Sequence, residues 1–158
     1  MRFRSIARLI LSLCICLGVG VSESLVTRPE IATWYAKLAK PSWTPPPLAF
    51  PIVWTVLYIL MAISIWRLWD RKPSSPTRTK AMTWFIVQLA LNALWSPVFF
   101  GWHGTRTALI IIVALLVAIA ATIVTAARVD RVAAWLLAPY LIWVAYATTV
   151  NAGVLVMN

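Results

Sequence analysis

The sequence predicts an all-α membrane protein, a bundle of five transmembrane helices with a long structured loop between helices 1 and 2. Three observations predict it. Of the 158 residues, 62% are hydrophobic and only 11% charged, with a mean hydropathy of +0.86, far from the mix of charged and apolar residues in soluble domains. Crossing about 30 Å of hydrocarbon takes about 20 apolar residues, and runs of that kind occur at about 6–26, 50–69, 81–102, 107–127 and 133–156. The stretch "KPSWTPPPLAFPIVWT", 40–55, then sets five prolines and two tryptophans at the mouth of the second run. These runs use most of the chain, so 1–158 reads as a single transmembrane domain with little left for a soluble module.

The first run follows Arg2, Arg4 and Arg8 and ends in small residues, "GVGVS", which is also the form of a secretory signal peptide. Its apolar stretch continues through Leu25 and Val26, and no soluble domain follows, so it reads as a span. Cys14 and Cys16, the only cysteines, stand about 200° apart on a helix, on different faces. They suit packing rather than metal binding. With one histidine, His103, and four acids in the chain, no ligand cluster for a metal is expected.

About 23 residues, 27–49, separate the first two spans, and their composition predicts structure rather than disorder. Pro29 and Glu30 suit a helix's first turn, while Ile31, Trp34, Tyr35 and Leu38 recur at helical spacing before Pro41. A short amphipathic helix on the outer end of the bundle is expected. The prolines that follow fix φ and remove amide donors, so this lid can be stiff with few unsatisfied groups.

The remaining spans carry polar residues within apolar surroundings: Ser12, Ser22, Glu23, Gln88, Asn92, Thr148 and Asn151 are expected to face other helices or a cavity, not lipid. Pro97 and Pro139, inside the third and fifth spans, should free carbonyls and bend both helices. Ala114, Ala118, Thr122 and Ala126 in the fourth span form a ridge of small residues, as do Ala145, Thr149 and Gly153 in the fifth. Such ridges let helices approach closely in lipid.

Basic residues set the orientation. Arg2, Arg4, Arg8, Arg67, Arg71, Lys72, Arg78, Lys80, Arg128 and Arg131 fall on one side, and Arg28, Lys37, Lys40 and Arg106 on the other. The N-terminus is therefore expected in the cytoplasm, with the lid and the C-terminus on the outer face of a bacterial inner membrane. The tract 70–80 reads as a solvated topology signal and not a nucleic-acid site, despite the net charge of +10.

No Ser-His-Asp or Cys-His set, glycine-rich phosphate loop or carboxylate pair is present, so a hydrolase or ATP-driven pump is not expected. With no charged residue expected at the midplane, driven transport is disfavoured as well. The chemistry sits instead on helical stripes. Gln88 and Asn92 are four apart, with Trp95 and Ser96 a turn further; Trp54 and Tyr58 share a face of the second span; Trp143 and Ala147 share one of the fifth, flanked by Tyr140 and Tyr146. Three helices can thus line one aromatic cavity suited to a flat, largely apolar molecule.

Interface belts account for other tryptophans: Trp66, Trp69, Trp84 and Trp135 on the cytoplasmic side, Trp34, Trp43 and Trp102 on the outer. Trp143 stands near the midplane, while Trp54 and Trp95 suit either binding or packing. His103 and Arg106 read as a solvated loop pair or as contacts for a ligand carboxylate, and Asn92 and Asn151 as helix ties or ligand contacts.

Three stretches in order, "WYAKLAKPSWTPPPLAFPIVWTVLY", "QLALNALWSPVFFG" and "WLLAPYLIWVAYATTVN", together resemble the tryptophan-rich sensory protein or translocator protein family, TspO/MBR, from about Trp34 to Asn151. The resemblance implies five transmembrane helices, often dimeric, and a first loop folded over a pocket for porphyrins and haem-related tetrapyrroles, with cholesterol and synthetic drugs in mitochondrial members. It implies pocket residues Tyr35, Pro45, Trp54, Tyr58, Gln88, Asn92, Trp95, Trp143 and Ala147. No resident cofactor is implied beyond porphyrin or haem as ligand, and the implied partners are membrane lipid and a second copy. Some bacterial relatives are said to degrade protoporphyrin in light through tryptophans matching Trp54 and Trp143. The cholesterol-recognition pattern of animal members has no counterpart in "ATTVNAGVLVMN", which offers Ala152 and Val156.

Overall fold

The computed structural model describes residues 2–70 and 74–158; Arg71 and Lys72, counted above toward orientation, lie outside the described residues. The chain forms α1 (Arg2–Ala32), a 3₁₀ turn (Tyr35–Lys37), α2 (Ala49–Asp70), α3 (Pro76–Ser96) continued by a π turn (Pro97–Gly101), α4 (Thr105–Ala127), a short α5 (Arg131–Trp135) and α6 (Ala138–Met157). Five stretches are long and apolar enough to cross a membrane, α5 and α6 making one of them together. In the bundle α1 packs on α2, α3 on α4 and α4 on α6, with α1 also touching α3.

The first helix is longer than its apolar run. It continues through Pro29, where a separate surface helix was expected to start. One proline removes one ladder hydrogen bond, and the final turn continues past it; Thr33 Oγ1 donates to the Pro29 carbonyl at 2.9 Å. The 31 residues of α1 span about 46 Å at about 1.5 Å per residue, so its last turns project beyond the hydrocarbon. The expected amphipathic helix is thereby divided between the end of α1 and the 3₁₀ turn.

Proline also shapes the third and fifth spans. Pro97 has no N–H for the α-helical ladder, and the chain widens there so that Trp102 N–H bonds the Pro97 carbonyl at 2.9 Å. Pro139 lies in the first turn of α6 rather than within a bent helix. It cannot bond the Trp135 carbonyl, so the chain ends α5 there and restarts at Ala138.

Polar side chains settle by two routes. Gln88, Asn92 and Asn151 are 1% exposed, as the spans' composition requires. Ser22, expected to face protein, is exposed and donates to its own helix, to the Val19 carbonyl at 2.7 Å. That internal bond lets a hydroxyl face lipid at little cost. Cys14 is exposed and Cys16 buried, on different faces as the spacing predicts. On α4, Ala118, Thr122 and Ala126 are buried while Ala114 turns outward; on α6, Ala145 and Thr149 are exposed, and Gly153 packs against the lid rather than a helix.

One end of the bundle is fastened by ion pairs. Arg8 meets Asp70 at 3.1 Å and lies over the Trp69 ring, and Arg67 meets Asp130 at 2.9 Å. Asp130 also caps α5, accepting from the Val132 and Ala133 amides. Burial pushes the Asp130 carboxyl up, but Arg67 and those amides outweigh it and hold it below the usual carboxylate range. A depressed folded value means this contribution is complete above about pH 4, where the unfolded group ionises, and is lost as pH falls through the folded value. Asp130→Asn, which retains the cap, should therefore lower the melting temperature at neutral pH and lose less than wild type on acidification. Asp130→Ala should cost about 1 kcal/mol more through the missing cap, both read by thermal unfolding in detergent.

Candidate functional site

The lid descends onto the ends of α3 and α6. Lys40 Nζ braces it from within, donating to the carbonyls of Tyr35 at 2.8 Å, Leu38 at 2.9 Å and Ala36 at 3.3 Å, over the Tyr35 ring. Asn158 holds Ala39 in both directions, its amide accepting from Ala39 N–H at 3.0 Å and donating to the Ala39 carbonyl at 2.9 Å. Tyr146 of α6 donates its hydroxyl to the Trp43 carbonyl. Buried Pro41 seats directly on Gly153, where any Cβ would collide with the proline ring.

Beneath this lid lies a cleft lined by Tyr35 and Pro45 of the lid, Phe50 of α2, Trp95, Phe99 and Phe100 of the third span, and Trp143, Tyr146 and Ala147 of α6. Trp95 stacks on Phe99 with centroids 5.2 Å apart, and Phe50 meets Trp143 edge-on at 6.1 Å. Asn151 fixes Trp95 by accepting its indole N–H at 3.2 Å, while donating to the Thr105 carbonyl at 3.0 Å. The indole N–H of Trp143 is buried without a hydrogen-bond partner. Burial and the neighbouring Tyr146 push the Tyr35 phenol up, so it stays a neutral donor.

Of the residues singled out from sequence, Tyr35, Pro45, Trp95, Trp143 and Ala147 come together on this cleft. The other four lie deeper in the bundle. Trp54 stacks on Tyr58 at 5.6 Å and meets Tyr140 edge-on at 6.2 Å. Asn92 donates to the Tyr58 hydroxyl at 2.7 Å, and Gln88 is buried one turn below Asn92 with neither amide atom partnered. Asn92 and Asn151 both act as ties between helices.

Two groups at the base of the lid have partners that the sequence did not suggest, although His103 stays exposed in its loop. Trp34, assigned above to the outer belt, packs into the core edge-on to Phe99 and stacks on His103 at 4.1 Å. His103 pairs through Nε2 with Glu30 Oε2 at 3.1 Å rather than with Arg106, and its φ of 55° turns the α3–α4 connection so that it can. Tyr146, flanking Trp143, lines the cleft as its stripe suggests, whereas the sequence pattern passes over Phe50, although it lies one turn before Trp54 on the same face.

The model for the TspO/MBR family matches residues 12–157. The chain belongs to that family. A tryptophan-rich protein TspO of Chlorobaculum tepidum is 40% identical over 153 residues, 95% of this chain and 96% of that protein. The protein CrtK of Rhodobacter capsulatus is 35% identical over 92% of this chain and 88% of its own length, and the human translocator protein 40% identical over 85% and 80%. As a TspO/MBR protein, the chain carries its aromatic cleft under the proline-rich loop, with a volume of about 30 Å³ while that loop is seated.

The Gly153 contact makes the seating testable. Gly153→Ala should lift Pro41 and weaken the nearby bonds. Amide exchange at Ala39 and Thr44, followed by mass spectrometry, should then accelerate roughly fivefold or more for about 1 kcal/mol of lost hydrogen bonding; unchanged exchange would show that the lid does not rest on this contact.

Proposed function

We propose that this protein binds porphyrin- or haem-type tetrapyrroles in the membrane, as a sensor, scavenger or carrier in porphyrin and stress physiology. The observation that carries the reading is the aromatic cleft with a buried donor left open: Tyr35, Trp95, Phe99 and Trp143 wall it, and among the described residues the Trp143 N–H has no partner. Flat macrocycles stack on such walls, and an unpaired N–H offers a hydrogen bond to a ring nitrogen or propionate. The names of relatives speak of sensing and translocation and of no ligand, among them a tryptophan-rich sensory protein of Cereibacter sphaeroides and the translocator protein of Sus scrofa.

Ligand pockets for molecules of drug size enclose about 300–1,000 Å³, against about 30 Å³ under the seated lid. Binding therefore requires the lid to rise and the Trp54–Tyr58 stack behind Phe50 to open toward the ligand. In the orientation favoured by the basic residues, the lid faces outward from a bacterial inner membrane, so ligand enters from the outer leaflet or the space beyond it.

Titrating the purified protein with protoporphyrin and following indole quenching tests this. Trp143→Phe should weaken binding about fivefold, the worth of about 1 kcal/mol of aromatic contact, and Trp54→Phe should weaken it less. Unchanged affinity in both variants would exclude the stacking site. Illuminating the complex separates binding from light-driven breakdown: intact porphyrin recovered afterwards supports a binder, and a new product supports an oxidase using Trp54 and Trp143.

A further inference from the structure

The bundle holds a carboxyl where a membrane span rarely tolerates one. Glu23 is 8% exposed. Its Oε2 accepts from the Tyr58 hydroxyl at 2.8 Å and the Ser96 hydroxyl at 3.4 Å, and Asn92 in turn donates to Tyr58 at 2.7 Å. Gly20 makes this possible, since a Cβ there would stand 2.7 Å from the Tyr58 ring. From sequence, position 23 fell near the end of a span ending at 26. Tyr58, however, is the tenth of the 22 residues of α2, so the carboxyl it touches lies among the spans, between α1, α2 and α3.

The hydrogen-bond directions are one-sided. Every donor reaches Oε2, while Oε1 is buried with no partner among the described residues. Tyr140, 0% exposed, packs in the same buried cluster as Tyr58 and Cys16, and among the described residues its hydroxyl also has no partner. The titratable groups around Glu23 are thus Tyr58 from α2, Tyr140 from α6 and Cys16 on its own helix; α3 contributes the neutral Asn92 and Ser96. Among the described residues no basic side chain forms an ion pair with it. An uncompensated carboxylate in a membrane interior is strongly disfavoured, so an ionisable group placed there points to a function that needs it.

We propose that Glu23 is a proton-binding site, holding a proton on its unpartnered Oε1 and exchanging it with water when the bundle opens. With that proton Oε1 is no longer half of a buried, uncompensated carboxylate, and the hydrogen-bond chain from Asn92 through Tyr58 to Glu23 ties α3, α2 and α1 to a neutral group. Release breaks the Oε1–H bond, leaves the electron pair on the carboxylate and passes the proton to water. The inference rests on this polar core and is independent of which ligand the cleft takes.

Infrared difference spectroscopy of the full chain in lipid nanodiscs tests it. Wild type minus Glu23→Gln at neutral pH should show the C=O stretch of a protonated carboxyl, shifting in D₂O; a difference containing only carboxylate bands would overturn the proposal. Should Glu23→Gln fail to fold, Tyr58→Phe leaves Glu23 in place and should shift the same band by removing the hydrogen bond to Oε2. A wild type minus Tyr58→Phe difference that contains only carboxylate bands would likewise overturn the proposal.

Discussion

Hydrocarbon offers no hydrogen-bond partners, and this one constraint decides where the chain is helical and where it can be irregular. Hydroxyls turned to lipid, such as that of Ser22, bond their own helix. Side chains with more to satisfy are drawn inside, where Asn92 and Asn151 tie one helix to another. The helix breaks at Pro97 and at Leu136 fall near the ends of spans, not in their middles. The proline-rich stretch lies outside the hydrocarbon altogether, with few amide donors left to satisfy.

The lid obeys the same rule at the membrane surface. Lys40 takes up three of its carbonyls, Asn158 two groups of Ala39, and Tyr146 the carbonyl of Trp43. Each bond is worth about 1 kcal/mol net. The seated lid is thus held by several modest contacts around one close approach, Pro41 on Gly153. Under the proposed function, a ligand stacking on Trp95 and Trp143 would have to outweigh them, which would make lid position and ligand occupancy two readings of one equilibrium.

Hydropathy and helical period are local signals, and what depends on them was legible: five spans, the opposite faces of Cys14 and Cys16, and the aromatic faces of the second, third and fifth spans. What was not legible depends on contacts between distant positions. Pro29 reads locally as a helix start, yet α1 runs through it. Glu30 and His103 are 73 residues apart, and nothing in either neighbourhood announces their pairing. Gly153 fits a small-residue ridge equally well whether a helix or Pro41 lies against it. Glu23 looked peripheral because its depth is set by Tyr58 on another helix and not by its own place in the run.

Locking the lid tests the account most directly. A Cβ at position 153 would lie 3.4 Å from Pro41 Cβ, close to the about 3.5–4.5 Å of natural disulfides, and replacing the proline removes the ring that would block it. In a Cys14→Ala, Cys16→Ala background, Pro41→Cys with Gly153→Cys should bind protoporphyrin when reduced and lose binding when oxidised, regaining it with dithiothreitol. Equal affinity in the two forms, with the disulfide confirmed by mass spectrometry, would contradict a site that opens by raising the lid.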